Sequence, residues 1–362
     1  MGKNNLKENE LQSGQIGLAL VDSMQEITLS KIGDEGINNA HKNLKFLEKG
    51  LSLKELRNAP LGEGDQAVII AAGPSLHKTN VAQNLKSSEY KGAIIVPDSA
   101  MLYCLKNDII PDLVVTLDPH PKRIVRWFGD PDLVRADLES DDYFSRQDMD
   151  PAFADQMRVN DEVIELLEKY GKKIKIALST SASDAVVQRA INTGMEIYWW
   201  NPMYDDPDLP DSETLKLHKL NGLPCLNAGG NVGSACWMIA DAVLDKQHVA
   251  LTGMDFSYYA DTPYKNTQYY YELLEMVPEE QLDTVFMRIF NPYLKKWFYT
   301  DPAYMWYRKT FLEMAADASC VTYNCTGGGI LFGENIIFTS LDSFLNESAL
   351  VLTTSNDFSV SK

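Results

Sequence analysis

One continuous apolar run, Ala67-Val68-Ile69-Ile70-Ala71, followed at once by the turn Ala72-Gly73-Pro74-Ser75, constrains this chain more than any other feature. A strand with no polar face has to be covered on both sides, as in a parallel sheet flanked by helices. His77 to Leu85 reads as the helix that follows. The unit then repeats. Ala93 to Asp98 is a second strand, Ser99 to Asn107 a helix, and Leu113 to Asp118 a third strand. Alternation at this pitch implies an α/β, Rossmann-like, doubly wound and mostly parallel sheet with right-handed crossovers.

The pattern resumes after a stretch of weak periodicity, 129–160, that reads as a surface excursion leading into a helix from Asp161 to Tyr170. Strands are expected at Lys173 to Leu178, Met195 to Trp200 and Val249 to Gly253, with helices at Ala182 to Thr193 and Ser234 to Leu244. A last apolar unit, Ile336 to Phe338, precedes a helix from Leu341. Residues 1 to about 14 are polar and expected to be disordered. Ile16 to Leu56 has helical spacing, with Leu44, Leu47 and Leu51 on one face. The expected organisation is a disordered N-terminus and helical cap (1–60), a Rossmann-like nucleotide-binding domain (61–257 and 319–346), a mainly helical aromatic insertion (258–318) and a tail (347–362).

The chain of 362 residues carries a formal net charge of −18, which sets it against polyanionic partners such as nucleic acid or an anionic membrane surface. Its acidity also serves solubility, and a local cluster of backbone N–H groups can still hold a phosphorylated small molecule. The five cysteines are odd in number and form no Cys-x-x-Cys pair, which suits a reducing compartment without structural zinc. Cys104 and Cys236 sit in apolar helical patterns and read as small buried hydrophobes. Met1 to Glu10 has no signal-peptide core, and no apolar run reaches the ~20 residues of a membrane span. A cytoplasmic protein without direct membrane insertion is expected, possible as a homo-oligomer.

In doubly wound sheets ligands collect at the carboxyl ends of strands, where the strand order reverses. Gly73-Pro74-Ser75-Leu76, Asp98, Asp118-Pro119-His120 and Asp255 fall at such ends, and Gly229 to Ser234 precede a helix. Gly73 has no partner glycines at dinucleotide-fingerprint offsets and no P-loop lysine, which disfavours NAD-dependent redox and ordinary ATPase chemistry. The turn is either a plain strand-to-helix connection capped by Ser75 or a close backbone approach to a phosphate. Gly229-Gly230-Asn231-Val232-Gly233-Ser234 is a second anion nest or a flexible loop. Asp118 and His120 suit substrate hydroxyls or acid–base work. The acidic loop 205–211 is a solvated turn or a divalent-cation site. Tyr258, Tyr259, Tyr264, Tyr269 and Tyr270 are packing residues, with room for a few rings to stack on a base or sugar.

Six segments in order carry a resemblance. Ala72 to Leu76, Asp98 to Met101, Thr116 to Pro119, Gly229 to Ser234, Gly253-Met254-Asp255-Phe256 and Asn324-Cys325-Thr326-Gly327-Gly328-Gly329 resemble the MptE-like (6-hydroxymethylpterin diphosphokinase-like) superfamily over about residues 65 to 340. One branch of that superfamily transfers diphosphate from ATP to a hydroxymethylpterin. The other contains the motility-associated-factor (Maf) glycosyltransferases, similar in fold to sialyltransferases, and Asp118-Pro119 is more similar to this branch. The resemblance implies a transferase using a nucleotide-activated small-molecule substrate, first a nonulosonic acid or similar sugar on a CMP donor. It implies catalytic roles for His120, Asp255 and Asp118. It also implies donor contacts at Gly73, Pro74, Ser75, Leu76, Asp98, Gly229, Gly230, Asn231, Ser234, Asn324 and Thr326. In the ATP-dependent alternative, Mg²⁺ would lie on Asp98, Asp118 and Asp255; no metal site is otherwise expected. Two departures favour a third alternative, a non-catalytic nucleotide-binding module. Gly327 stands where the glycosyltransferase branch commonly has glutamate, and Ser257 to Tyr270 contains no histidine, which leaves His120, Asp255 and Asp261 as candidate bases.

Overall fold

A computed structural model gives the fold, and it describes residues 11–12, 14–121, 124–134, 136 and 156–346. In chain order the strands are β1 (Leu11–Gln12), β2 (Leu51–Ser52), β3 (Gln66–Ile70), β4 (Ala93–Pro97), β5 (Leu113–Thr116), β6 (Lys175–Ser179) and β7 (Glu196–Pro202). They continue as β8 (Cys225–Leu226), β9 (His248–Thr252), β10 (Tyr258–Tyr259), β11 (Met287–Asn291), β12 (Lys296–Thr300), β13 (Val321–Asn324) and β14 (Ile336–Phe338). The main sheet runs β14-β13-β9-β3-β4-β5-β6-β7-β2, with β8 beside β7. Every pairing in it is parallel, so the expected Rossmann-like α/β sheet is what the chain forms.

The alternation of side chains along each strand divides the core in two. Ala67, Ile69 and Ala71 of the first run pack on one face with Ile95, Val115, Leu251 and Trp237. Val68 and Ile70 pack on the other with Val96, Val114, Leu178 and the helix residues Leu85, Met101 and Leu105. β3 is buried at every position, which explains the apolar run from Ala67 to Ile70. From β3 the chain steps outward through β4, β5, β6 and β7, then returns to lay β9 against the opposite edge of β3. The order therefore reverses between β3 and β9, and their carboxyl ends frame the switch-point crevice.

Several expectations need correction. Leu11–Gln12, expected in a disordered stretch, forms a strand against β11. The cap consists of the helices Gln15–Val21 and Met24–Asn43 followed by two short 3-10 segments; Leu44 and Leu51 are exposed, and Leu53 and Leu56 are buried instead. The aromatic insertion is helical only in part. With β1 it builds a second, antiparallel sheet ordered β1-β11-β12-β10, whose aromatic side chains close a small core of their own over Tyr258, Tyr270, Phe286 and Tyr299. β8 and β13 were not expected as strands. The helix expected from Asp161 begins at Gln156. Residues 137–155 of the surface excursion and the tail from 347 lie outside the described residues. Cys104 and Cys236 are fully buried, as expected, and all five cysteines are free thiols. No helix among the described residues is long and apolar enough to cross a membrane.

Candidate active site at the switch point

A cavity of about 1590 Å³ opens over the carboxyl ends of the strands. A typical small-molecule pocket is ~300–1,000 Å³, so this one is larger than most. Its wall includes Gly73, Pro74 and Leu76 after β3, Asp118, Pro119 and His120 after β5, and Gly253 to Phe256 after β9. The glycine turn 229–233 and the aromatic residues Tyr269, Tyr304, Trp306 and Tyr307 complete it.

Asp255 is the chemically distinctive group. It is 2% exposed, and burial pushes its carboxyl up to about 7, against a partial lowering by hydrogen bonds from Ser75. The Ser75 hydroxyl donates to Asp255 Oδ2 at 2.7 Å, and the Ser75 N–H donates to the same oxygen at 3.3 Å. Three glycines on two loops close around this residue. A Cβ on Gly73 would stand 2.3 Å from Oδ2, one on Gly328 2.9 Å from Oδ1, and one on Gly329 2.3 Å from the Asp255 carbonyl oxygen. The next residue, Phe256, is buried at φ 49°, a left-handed conformation that a bulky side chain adopts only when its surroundings impose it. Thr300 Oγ1 donates to the Phe256 carbonyl at 2.8 Å and the Ile330 N–H to that of Asp255 at 2.9 Å, so the strained turn is tied on both sides.

Of the two readings of the first turn, a plain capped connection or a phosphate contact, the hydrogen bonding fits the first. The Gly73 N–H donates to the Gly253 carbonyl, that of Ser75 to Asp255, and that of Leu76 to the Gly73 carbonyl. Pro74 has no N–H, so two of these donors hold β9's loop and the third closes the turn. Ser75 is fully buried behind the cavity wall. Asp98 is likewise buried, accepting from Thr116 Oγ1 and the Ser99 N–H at 2.8 Å each, which ties the end of β4 to that of β5. Asn324 and Thr326 brace the loops below the cavity: Asn324 donates to the Leu331 carbonyl, and Thr326 Oγ1 accepts from the Met254 N–H at 3.3 Å. None of Ser75, Asp98, Ser234, Asn324 and Thr326 lines the cavity. Asp261 is exposed on a turn away from it.

Gly229, Gly230 and Asn231 do line it. Asn231 caps the helix Val232–Met238 by accepting from the Ser234 N–H at 2.9 Å, and Gly229 and Gly230 have φ of 57° and 81°. Asp118 and His120 share the wall, and Asp118 Oδ1 accepts the His120 N–H at 2.9 Å. The carboxylates assigned to Mg²⁺ in the ATP-dependent alternative are not brought together. Among the described residues no three His, Cys, Asp or Glu side chains form a metal-binding group. Asp205 of the acidic loop serves as a cap, accepting from Ser212 Oγ and the Glu213 N–H at the start of the helix Glu213–Asn221.

Sequence reasoning missed the far wall. Asp301 is fully buried, raised to about 6 by burial, and accepts from the Tyr258 hydroxyl at 2.9 Å and the Tyr304 N–H at 2.8 Å. Burial pushes the phenols of Tyr269, Tyr304 and Tyr307 upward, so they present neutral hydroxyls. Of the five tyrosines named from sequence, only Tyr269 is on the wall. Asp301-Pro302 was the available signal, an N-cap followed by proline at the first helical position. Also missed were Asn39 and Ser181. The Asn39 amide donates to the Pro119 and Ser181 carbonyls, and Ser181 Oγ donates to that of Leu117 at 2.7 Å, so the Asp118 loop is held from both sides.

This geometry, with its crossing point between β3 and β9, coincides with a sequence match. Residues 38–127, which contain the first turn and the Asp118 loop, match the family described as 6-hydroxymethylpterin diphosphokinase MptE-like. That segment is similar to the MptE-like family. A 55-residue stretch is 42% identical to the 6-hydroxymethyl-7,8-dihydropterin pyrophosphokinase of Methanocaldococcus jannaschii, covering 15% of this chain and 23% of that relative. Among solved structures, the MAf glycosyltransferase from Magnetospirillum magneticum AMB-1 superposes with a TM-score of 0.48 at 15% identity, over 88% of this chain and 41% of the other. The chain thus spans less than half of either relative.

Proposed function

We propose that this protein is a transferase that moves a sugar from a nucleotide-activated donor to an acceptor hydroxyl, with Asp255 as the general base. The observation that carries the reading is Asp255 itself. A carboxylate on a cavity wall, buried at a strained turn and raised to about 7, is poised to take a proton near neutral pH. The acceptor O–H would give its proton to Asp255 as the oxygen attacks the sugar carbon. The bond from that carbon to the donor phosphate breaks, and its electron pair leaves with the nucleotide. Asp118 and His120 are assigned to hydroxyls of the substrate, and the glycine turn 229–233 to the donor phosphate. The tyrosine-rich wall suits a sugar ring.

The charge on the wall favours a donor with a single phosphate, as in a CMP-activated sugar, over a triphosphate. It carries five carboxylic acids, Asp118, Asp255, Glu272, Glu275 and Asp301, against the lysines Lys31 and Lys106. The match of residues 38–127 to the pterin diphosphokinase family supports a second reading, transfer of diphosphate from ATP. A thermal-shift screen with CMP, CDP, ATP, UDP and GDP, each with and without Mg²⁺, separates the two. A ligand at ~100 times its Kd stabilises the fold by roughly 2.7 kcal/mol. A metal-independent shift with CMP, followed by Asp255-dependent transfer from a CMP-nonulosonic acid, is the expected result. A shift with ATP alone that requires Mg²⁺ would replace it with the diphosphokinase, and no shift at all would leave a cavity that does not bind nucleotides.

A further inference from the structure

The helix Met24–Asn43 was expected only to cap the sheet, yet it forms part of the cavity. Met24, Ile27, Thr28 and Lys31, spaced three and four apart along one face, all line it. Farther along, the helix is fixed by two buried amides. Asn39 Nδ2 donates to the Pro119 carbonyl at 3.1 Å and the Ser181 carbonyl at 3.0 Å. Asn43 Nδ2 donates to the carbonyls of Thr180 at 2.8 Å and Ala182 at 2.7 Å. Lys31 therefore has a set register against the Asp118 loop, eight residues or about 12 Å of helix from the amide that touches Pro119.

The two wall lysines differ. Lys106 Nζ is 2.9 Å from Glu162 Oε2, so its charge is already matched. Lys31 is exposed and forms no ion pair among the described residues, and the cavity wall as a whole carries five acids. On a wall where acids outnumber lysines, a lysine with no ion pair among the described residues is the side chain able to offer positive charge to an anion.

We propose that Lys31 is a specificity-determining residue that binds the anionic group of the substrate in this cavity. The inference rests on the reading of the cavity as a site for an anionic nucleotide donor. The group is a phosphate or a carboxylate, and Lys31 acts on either as a point charge from a helix outside the sheet.

The test uses the full chain and matched neutral and anionic ligands: cytidine with CMP, adenosine with ATP, and the methyl ester of N-acetylneuraminic acid with the free acid. Calorimetry gives each Kd for the wild type, Lys31→Gln and Lys31→Arg. In Lys31→Gln the preference for the anionic member should fall about tenfold, the size of one charge-assisted hydrogen bond, with the neutral member bound unchanged. Lys31→Arg should keep the preference. Collapse in a nucleotide pair assigns Lys31 to the phosphate, and collapse in the acid and ester pair assigns it to the carboxylate. A wild-type preference that survives intact in Lys31→Gln overturns the role of Lys31 while leaving the donor reading in place. A wild type that binds none of the six overturns both.

Discussion

Asp255 and Ser75 meet across the switch point of the sheet, where the serine gives one carboxylate oxygen both its hydroxyl and its backbone N–H, at 2.7 and 3.3 Å. The loops after β3 and β9 are thereby joined through the same group that faces the cavity. Hydrogen bonds to an ionised carboxylate favour ionisation and burial opposes it. Here burial prevails, and the carboxyl stands at about 7. The charge needed for base catalysis is thus one the fold holds at a cost.

That cost has a definite sign. Unfolded, Asp255 would titrate near 3.8; folded, it titrates near 7, so between these values the folded state binds the extra proton. Its contribution to stability is complete below the lower value and is lost as pH rises through the upper one. Asp255→Asn, which stays neutral, should be more stable than wild type at pH 8 by on the order of 2–4 kcal/mol and about equal at pH 4. Asp301, raised to about 6, titrates in both proteins and cancels in the difference. Urea denaturation of the pair at both pH values measures this directly. An unchanged difference from pH 4 to 8 would mean that Asp255 ionises normally. Transfer activity should be lost in the stabilised variant.

Ser75→Ala tests the other half of the relationship. Removing the hydroxyl takes away a bond that favours the ionised form but leaves the backbone N–H in place. The Asp255 carboxyl should then titrate about one unit or more higher, given ~1.5–3 kcal/mol for a hydrogen bond to a charged group. Carbon-13 NMR of the Asp255 side-chain carboxyl, followed from pH 5 to 9, reads the midpoint in both proteins. A midpoint that stays put or falls would show that the serine does not tune this acid.

The parts of the fold that were legible in sequence are those whose burial is uniform. β3, β4, β5, β6, β7 and β9 announce themselves because both faces of the sheet are covered. β13 does not, because Val-Thr-Tyr-Asn alternates exposed and buried positions near the sheet margin. The hairpin of β11 and β12 was hidden by its aromatic content, which reads as packing of no particular period. The turns named from the sequence line one cavity, but the use of their glycines was not legible. Gly73, Gly328 and Gly329 make room for a carboxylate, and that need is set by loops far apart in the chain. Asn39 and Ser181 were invisible for the same reason, since their partners at Pro119 and Leu117 are distant in sequence.

Gly327 and Gly328 are neighbours whose substitution should have unequal effects. At Gly327, the position where glutamate was expected from the resemblance, a Cβ would meet only Thr79 Cγ2 at 3.2 Å, and the backbone is left-handed at φ 67°. Gly327→Ala should therefore cost about 1–2 kcal/mol, the usual strain of a side chain in that conformation. At Gly328 a Cβ would lie 2.8 Å from Tyr259 Oη, 2.9 Å from Asp255 Oδ1 and 2.9 Å from Ser75 Cβ. None of these can retreat without disturbing the carboxylate, so Gly328→Ala should cost about 1–3 kcal/mol from overpacking and also displace the Asp255 carboxyl. The decisive measurement is the Asp255 titration in both variants, because stability losses of similar size would not separate them. It should be unchanged in Gly327→Ala and shifted in Gly328→Ala. Equal titrations would mean that the triple-glycine turn does not shape the site.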